Sequence, residues 1–222
     1  LLALRRHRGQ TGRRRFVVLL ALVLAAQFAV VTQVYFSLVL VGGIAALAAW
    51  LLWRSRVVPT VVESAVAVAL SALLVSPVVL YAAVSHATAP ARSPFSESAD
   101  VLNFVVPTHR TWLHASATDA VAARFTGTGA ELGAYLGLPF LFLAAMAVQR
   151  TRPRVFLVVV AVACAVLALG TRVKVAGMVV GVAPWTALAH LPIVGSALPV
   201  RLTMYTSLLA GLLVALALAD RP

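Results

Sequence analysis

From Phe16 to Trp53 the chain runs for 38 residues without a charged side chain. A helix needs about 20 apolar residues to cross a ~30 Å hydrocarbon core, so this run is long enough to cross twice. An aqueous fold has no use for such a stretch, and the rest of the composition agrees. Hydrophobic residues make up 62% of the 222 and charged residues 11%, where a soluble domain carries about a quarter charged. The expected class is all-α, a polytopic helical membrane protein.

The apolar runs predict six spans in a single transmembrane domain covering residues 1–222: about 16–32, 36–53, 59–84, 131–148, 155–169 and 202–219. The first two form a hairpin whose turn is expected at Thr32-Gln33-Val34-Tyr35, the most polar patch in the run. Pro77 is expected to kink the far end of the third span. Two longer segments, 85–130 and 170–200, hold most of the prolines and histidines and half of the acids. The second reads as interfacial or re-entrant. A connection of some forty residues is more often functional than merely connective.

Six spans put both termini on one side. The terminal side carries Arg5, Arg6, Arg8, Arg13, Arg14, Arg15, Arg54, Arg56, Arg150, Arg152, Arg154 and Arg221. The other carries Arg92, Arg110, Arg124, Arg172, Lys174 and Arg201. Twelve basic residues against six place the termini in the cytoplasm of a plasma membrane and the two long segments outside. The formal charge of +12 is thus read as orientation, with the lipid bilayer as partner and no nucleic acid. Leu1–Leu4 followed by Arg5-Arg6-His7-Arg8 looks like the end of a further span, and the chain does not begin with Met. The expectation is the C-terminal part of a longer polytopic protein.

Phosphate loops, zinc-binding His-Glu-x-x-His, paired Cys-x-x-Cys and nucleophile elbows are absent from the sequence. His109 and His114 lack carboxylates at helical spacing, so no metal site is expected, no cofactor is identified and a divalent metal has no support from these residues. Gly129, Gly133 and Gly137 recur every four residues and predict a small-residue helix face. The outer cations Arg124, Arg172, Lys174 and Arg201 point to a cationic rim able to hold a lipid-linked phosphate, for which arginine offers a planar fork. Asp100 and Glu131 are the weaker catalytic candidates. Ser96 or Ser98 is expected to cap a short helix over Val101–Val106, and Glu63 to pair with Arg54 or Arg56.

Glu131-Leu-Gly133-Ala-Tyr135-Leu136-Gly137-Leu-Pro139, Leu167-Ala-Leu169-Gly170, His190-Leu191-Pro192 and Leu198-Pro199-Val200-Arg201-Leu202 resemble the C-terminal half of polytopic GT-C-type membrane glycosyltransferases, in particular actinobacterial members and the YfhO-like group. That resemblance implies inverting transfer of a sugar from a polyprenyl-phosphate donor to an extracytoplasmic acceptor. It also implies a catalytic carboxylate in an outer loop N-terminal to these residues. Arg201 then leads the donor-phosphate candidates. The rival reading is a non-enzymatic polytopic protein: a transporter, a flippase or a scaffold for envelope glycolipids. A transporter calls for ionisable groups at mid-membrane or repeated halves, and neither is evident.

Overall fold

The structure is a computed structural model that describes residues 5–6, 8–84, 98–125, 132–148, 151–190 and 198–220. It is mostly helical and divides into two compact units, residues 1–91 and 92–222.

The first unit contains α1 (Arg13–Val30), α2 (Thr32–Trp53) and α3 (Val58–Val84). Phe16, Val17, Ala21 and Leu24 form the buried stripe of α1. On α3 the buried positions are Glu63, Ala67, Ser71 and Val75, every fourth residue, so one face of this helix is covered. Phe16, Val17, Ala21 and Ala67 form the core of the unit, with Leu20 against it. The Tyr35 hydroxyl of α2 lies 3.1 Å from Ser71 Oγ. The expected turn at Thr32–Tyr35 is corrected: Val31 alone is extended (φ −147°), and the polar patch opens α2. Here Val31 N donates to Gln27 O and Thr32 Oγ1 to Phe28 O, so the last carbonyls of α1 find donors without a longer loop. The helix α3 continues through Pro77. Proline removes the N–H that Leu73 O would accept from, and the Ser76 hydroxyl donates to that carbonyl instead, at 2.8 Å.

The second unit contains α4 (Ser116–Ala122), α5 (Leu138–Met146), α6 (Arg152–Ala168), strands β1 (Arg172–Val175) and β2 (Met178–Val182), the single turn α7 (Trp185–Leu188) and α8 (Thr203–Ala219). Short 3-10 turns cover Val101–Phe104 and Pro199–Leu202. α6 packs antiparallel to α8 through Ala161, Cys164 and Ala168 on one side and Thr203, Thr206 and Ala210 on the other, small residues that permit close approach. Thr206 Oγ1 donates to Ala161 O at 3.4 Å. At the opposite end the buried Arg154 donates to Ala147 O, to Leu216 O and to the Asp220 carboxylate.

Among the described residues three helices are long and apolar enough to cross a membrane: Thr32–Trp53, Val58–Tyr81 and Pro199–Ala219. Only 11%, 17% and 28% of their apolar windows are covered by the rest of the chain. Surfaces such as Trp50, Leu51, Leu73, Leu74 and Leu208 therefore face outward, an arrangement that water penalises and lipid does not.

The segment expected as the fourth span is helical over nine residues only, about 14 Å or half a hydrocarbon core. Gly137 at φ +82° and Pro139 in the first turn set its start. Residues 132–137 are not helical, so Gly133 and Gly137 form no helix face, and Gly129 lies outside the described residues.

The expected interfacial segment contains an antiparallel hairpin. Val175 pairs with Met178 across Ala176-Gly177, both at positive φ (+52° and +81°), the pattern of a type I′ turn, whose twist matches that of the strands.

Candidate functional site

At the end of the α6–α8 pair marked by Ala168 and Thr203, the chain builds a polar cap. Ala99 N donates to Ala168 O at 2.8 Å, Leu136 N and Gly137 N to Phe104 O at 3.0 and 3.2 Å, and Thr186 Oγ1 to Thr171 O at 2.7 Å. Within this cap Ser98, Asp100, Asn103, Thr108 and Lys174 are all buried polar residues.

Asp100 organises the cap. Its Oδ1 accepts from Leu102 N at 2.9 Å and from Ala176 N at 3.1 Å, and Oδ2 accepts from Gly177 N at 2.7 Å. One carboxylate therefore caps the 3-10 turn and grips the hairpin tip. The cap residue of the 3-10 turn is Asp100, not the expected Ser98, and Ser96 lies outside the described residues. Its buried position and three N–H partners describe a clamp on the backbone. The other catalytic candidate, Glu131, lies outside the described residues.

Arg172 opens β1 and is exposed, Arg124 follows α4 and is exposed, and Arg201 is half-buried in the turn leading to α8. A Cβ placed on Gly177 would fall onto the Arg124 carbonyl, so the Arg124 backbone rests directly on the hairpin tip. The turn at Pro199–Leu202 packs on α6, whose far end feeds β1. Arg124, Arg172 and Arg201 thus belong to the same end of the unit. Lys174 differs: it is completely buried in β1, and like Arg201 it is engaged within the fold. The slip in strand register between Val173 and Lys174 separates it from the exposed Arg172.

On the outer surface of the cap His114 Nδ1 lies 3.0 Å from Asp119 Oδ2. Among the described residues no group of three or more His, Cys, Asp or Glu is placed to hold a metal ion. Three buried polar atoms, Asn103 Oδ1, Asp119 Oδ1 and Trp185 Nε1, have no hydrogen-bond partner among the described residues.

Reading the sequence alone missed three long-range polar pairings. Glu63 pairs with Arg6, at 2.6 and 2.7 Å, and with Arg13 at 3.8 Å, not with Arg54 or Arg56. Arg154, counted as an orientation signal, is 3% exposed and staples three segments. Asp100 joins residues separated by more than seventy positions.

The fold and site define a mostly helical protein that has, among the described residues, three apolar helices of membrane-crossing length and a polar cap at one end of the α6–α8 pair. No family model, curated protein or solved structure matches the chain.

Proposed function

We propose that the chain is the C-terminal, membrane-embedded part of a GT-C-like glycosyltransferase that transfers a sugar from a polyprenyl-phosphate donor to an extracytoplasmic acceptor. The observation that carries this reading is the gathering of Arg124, Arg172 and Arg201 at one end of the α6–α8 pair. Guanidinium groups gathered at a membrane boundary suit a lipid-linked diphosphate or monophosphate, whose charge grows as the sugar leaves. The Asp100 clamp supports the site by fixing the hairpin beside that rim. The base that accepts the acceptor's proton comes from an outer loop beyond these residues.

In this reading the termini are cytoplasmic and the cap is extracytoplasmic, supported by the twelve-to-six sorting of basic residues. Six crossings are retained, with α5 and its non-helical lead as the fourth. In that lead Leu136 N and Gly137 N donate to Phe104 O, and Leu132 O accepts from the Thr108 hydroxyl, which makes irregular backbone tolerable near lipid.

One observation favours the non-enzymatic reading: both described acids of the cap are already engaged, Asp100 by backbone and Asp119 by His114. Transfer from a polyprenyl-phosphate sugar by the full-length protein separates the two. Arg201→Ala should reduce transfer at least a hundredfold at unchanged protein level, with partial recovery in Arg201→Lys. Unchanged transfer in Arg201→Ala removes the rim from the reaction, and absence of transfer by the wild type supports the non-enzymatic reading.

A further inference from the structure

The first unit carries six arginines between residues 5 and 15. Arg6 and Arg13 face Glu63. Among the described residues no acid pairs with Arg5, Arg8, Arg14 or Arg15. The first turn of α1 holds three arginines and no acid, an order that the positive end of the helix dipole disfavours. Such an arrangement is stabilised by an anion.

The backbone before α1 is folded into a compact turn. Gly9, at φ +72°, donates its N–H to Arg6 O at 3.0 Å, and Gln10 N donates to Arg5 O at 2.9 Å. That turn sets Arg5 beside Gln10 and opens a cleft of about 240 Å³ lined by Arg5, Gln10, Thr11, Arg15 and Leu19. Its polar wall offers two guanidinium groups, an amide and a hydroxyl. Leu19 is its apolar edge, from which apolar surface continues along the helix. Arg15, Leu19, Leu22 and Val23 share one face of α1 by their spacing, and Leu19, Leu22 and Val23 are 36%, 52% and 56% exposed. A strongly cationic cleft that runs directly into an exposed apolar stripe matches a molecule with an anionic head and a hydrocarbon tail.

We propose that this cleft seats the phosphodiester headgroup of an anionic phospholipid, with Arg5 and Arg15 on the phosphate and an acyl chain along Leu19, Leu22 and Val23. The site is independent of sugar transfer. It would tie the start of α1 to one leaflet, because clustered basic residues beside a span draw anionic lipid.

The test is native mass spectrometry of the full-length protein released from micelles containing phosphatidylglycerol or phosphatidylcholine. The wild type should retain phosphatidylglycerol at tenfold or lower concentration than phosphatidylcholine. Each lost arginine is worth about fivefold in anionic-lipid affinity, so Arg5→Gln/Arg15→Gln should lower phosphatidylglycerol retention by about 25-fold. Both positions are exposed, and Arg5→Lys/Arg15→Lys should keep most of the preference. Arg54→Gln/Arg56→Gln removes the same charge outside the cleft and should change retention less than twofold.

Equal retention of the two lipids overturns the proposal, as does an equal loss in the Arg54/Arg56 variant, which would show diffuse charge attraction. Displacement of phosphatidylglycerol by inorganic phosphate at equal concentration would show that the tail contributes nothing. Saturable binding of RNA abolished by Arg5→Gln/Arg15→Gln, without lipid preference, would assign the cleft to nucleic acid and also overturn it.

Discussion

Arg6 and Glu63, 57 residues apart, form a two-pronged ion pair: Nε lies 2.6 Å from Oε2 and Nη2 lies 2.7 Å from Oε1. Glu63 is buried beside the Phe16–Ala67 core, and its side chain is 5% exposed. An acid in that position on an apolar helix needs a partner. Arg6 supplies it from outside the helix, so the ion pair fixes the segment before α1 against α3. Glu63→Gln should lower the melting temperature more than Arg13→Gln, because Arg13 approaches only to 3.8 Å and is 70% exposed. Thermal unfolding of both variants in the same detergent checks the order. The Glu63 hydrogen bond holds the Arg6 guanidinium above its usual range. A raised basic group contributes its full stability below its ordinary range and loses it only above, so moving from neutral to mildly alkaline buffer should leave this contribution intact.

The Asp100 clamp predicts that a conservative change is as harmful as a drastic one. Asparagine keeps one carbonyl oxygen but presents an NH₂ group where the carboxylate accepts from either Leu102 and Ala176 or Gly177. Two donors then face each other. With hydrogen bonds to a charged group worth about 1.5–3 kcal/mol each in a buried setting, Asp100→Asn and Asp100→Ala should both cost about 3 kcal/mol or more. Hydrogen exchange at the Ala176 and Gly177 amides should accelerate in both variants. Retained protection at those amides would argue that the clamp is dispensable.

The hairpin tip predicts effects of opposite sign at adjacent residues. At Gly177 the left-handed backbone and the Arg124 carbonyl both exclude a side chain. Gly177→Ala should therefore cost about 2 kcal/mol or more, the left-handed penalty alone being about 1–2 kcal/mol. Ala176, at φ +52°, carries a related strain already. Asparagine tolerates that conformation better and makes the favoured Asn-Gly turn, so Ala176→Asn should gain up to about 1 kcal/mol. Denaturation midpoints of the two variants should fall on opposite sides of the wild type.

The long helices were legible because each is an apolar run bounded by charge or proline. Expected spans at 59–84 and 202–219 compare with helices at Val58–Val84 and Thr203–Ala219. The short elements were not legible in the same way. Gly133 and Gly137 at fourfold spacing imitate a packing face, yet Gly137 is used for its positive φ. Val173 and Val175, a two-residue turn ending in Gly177 and the β-branched Val179, Val180 and Val182 did contain a hairpin signal. The surrounding apolar composition masked it. Arg6–Glu63, Arg154–Asp220 and Asp100–Gly177 span 57, 66 and 77 residues. No local spacing encodes such pairings, so the clamp at the cap's centre emerges only from the folded chain.

Arg154 predicts an asymmetric result within one ion pair. It is 3% exposed and also satisfies Ala147 O and Leu216 O, whereas the Asp220 side chain is 62% exposed. Removing the arginine leaves two carbonyls without their donor at once, and each hydrogen bond to a charged group is worth about 1.5–3 kcal/mol. Asp220→Asn leaves both carbonyl bonds in place and should cost about 1 kcal/mol or less. Arg154→Gln should therefore destabilise the α6–α8 pair several times more than Asp220→Asn, as read by proteolysis in the 147–151 connection. Equal effects would mean that the carboxylate, not the carbonyl staple, holds these helices.

Orientation is the property on which the proposed function most depends, and the chain offers a clean way to measure it. Cys164 is the sole cysteine of the sequence and is fully buried, so it adds little background to thiol labelling. Arg56→Cys reports the basic connection between α2 and α3, and Met178→Cys reports the exposed hairpin, where Met178 is 67% exposed. With a membrane-impermeant maleimide on intact cells, the residue 178 variant should label and the residue 56 variant should label only after permeabilisation. The basic connection stays inside because short arginine-rich segments resist translocation. Labelling of residue 56 alone would invert the topology, put the arginine rim on the cytoplasmic side and exclude an extracytoplasmic acceptor.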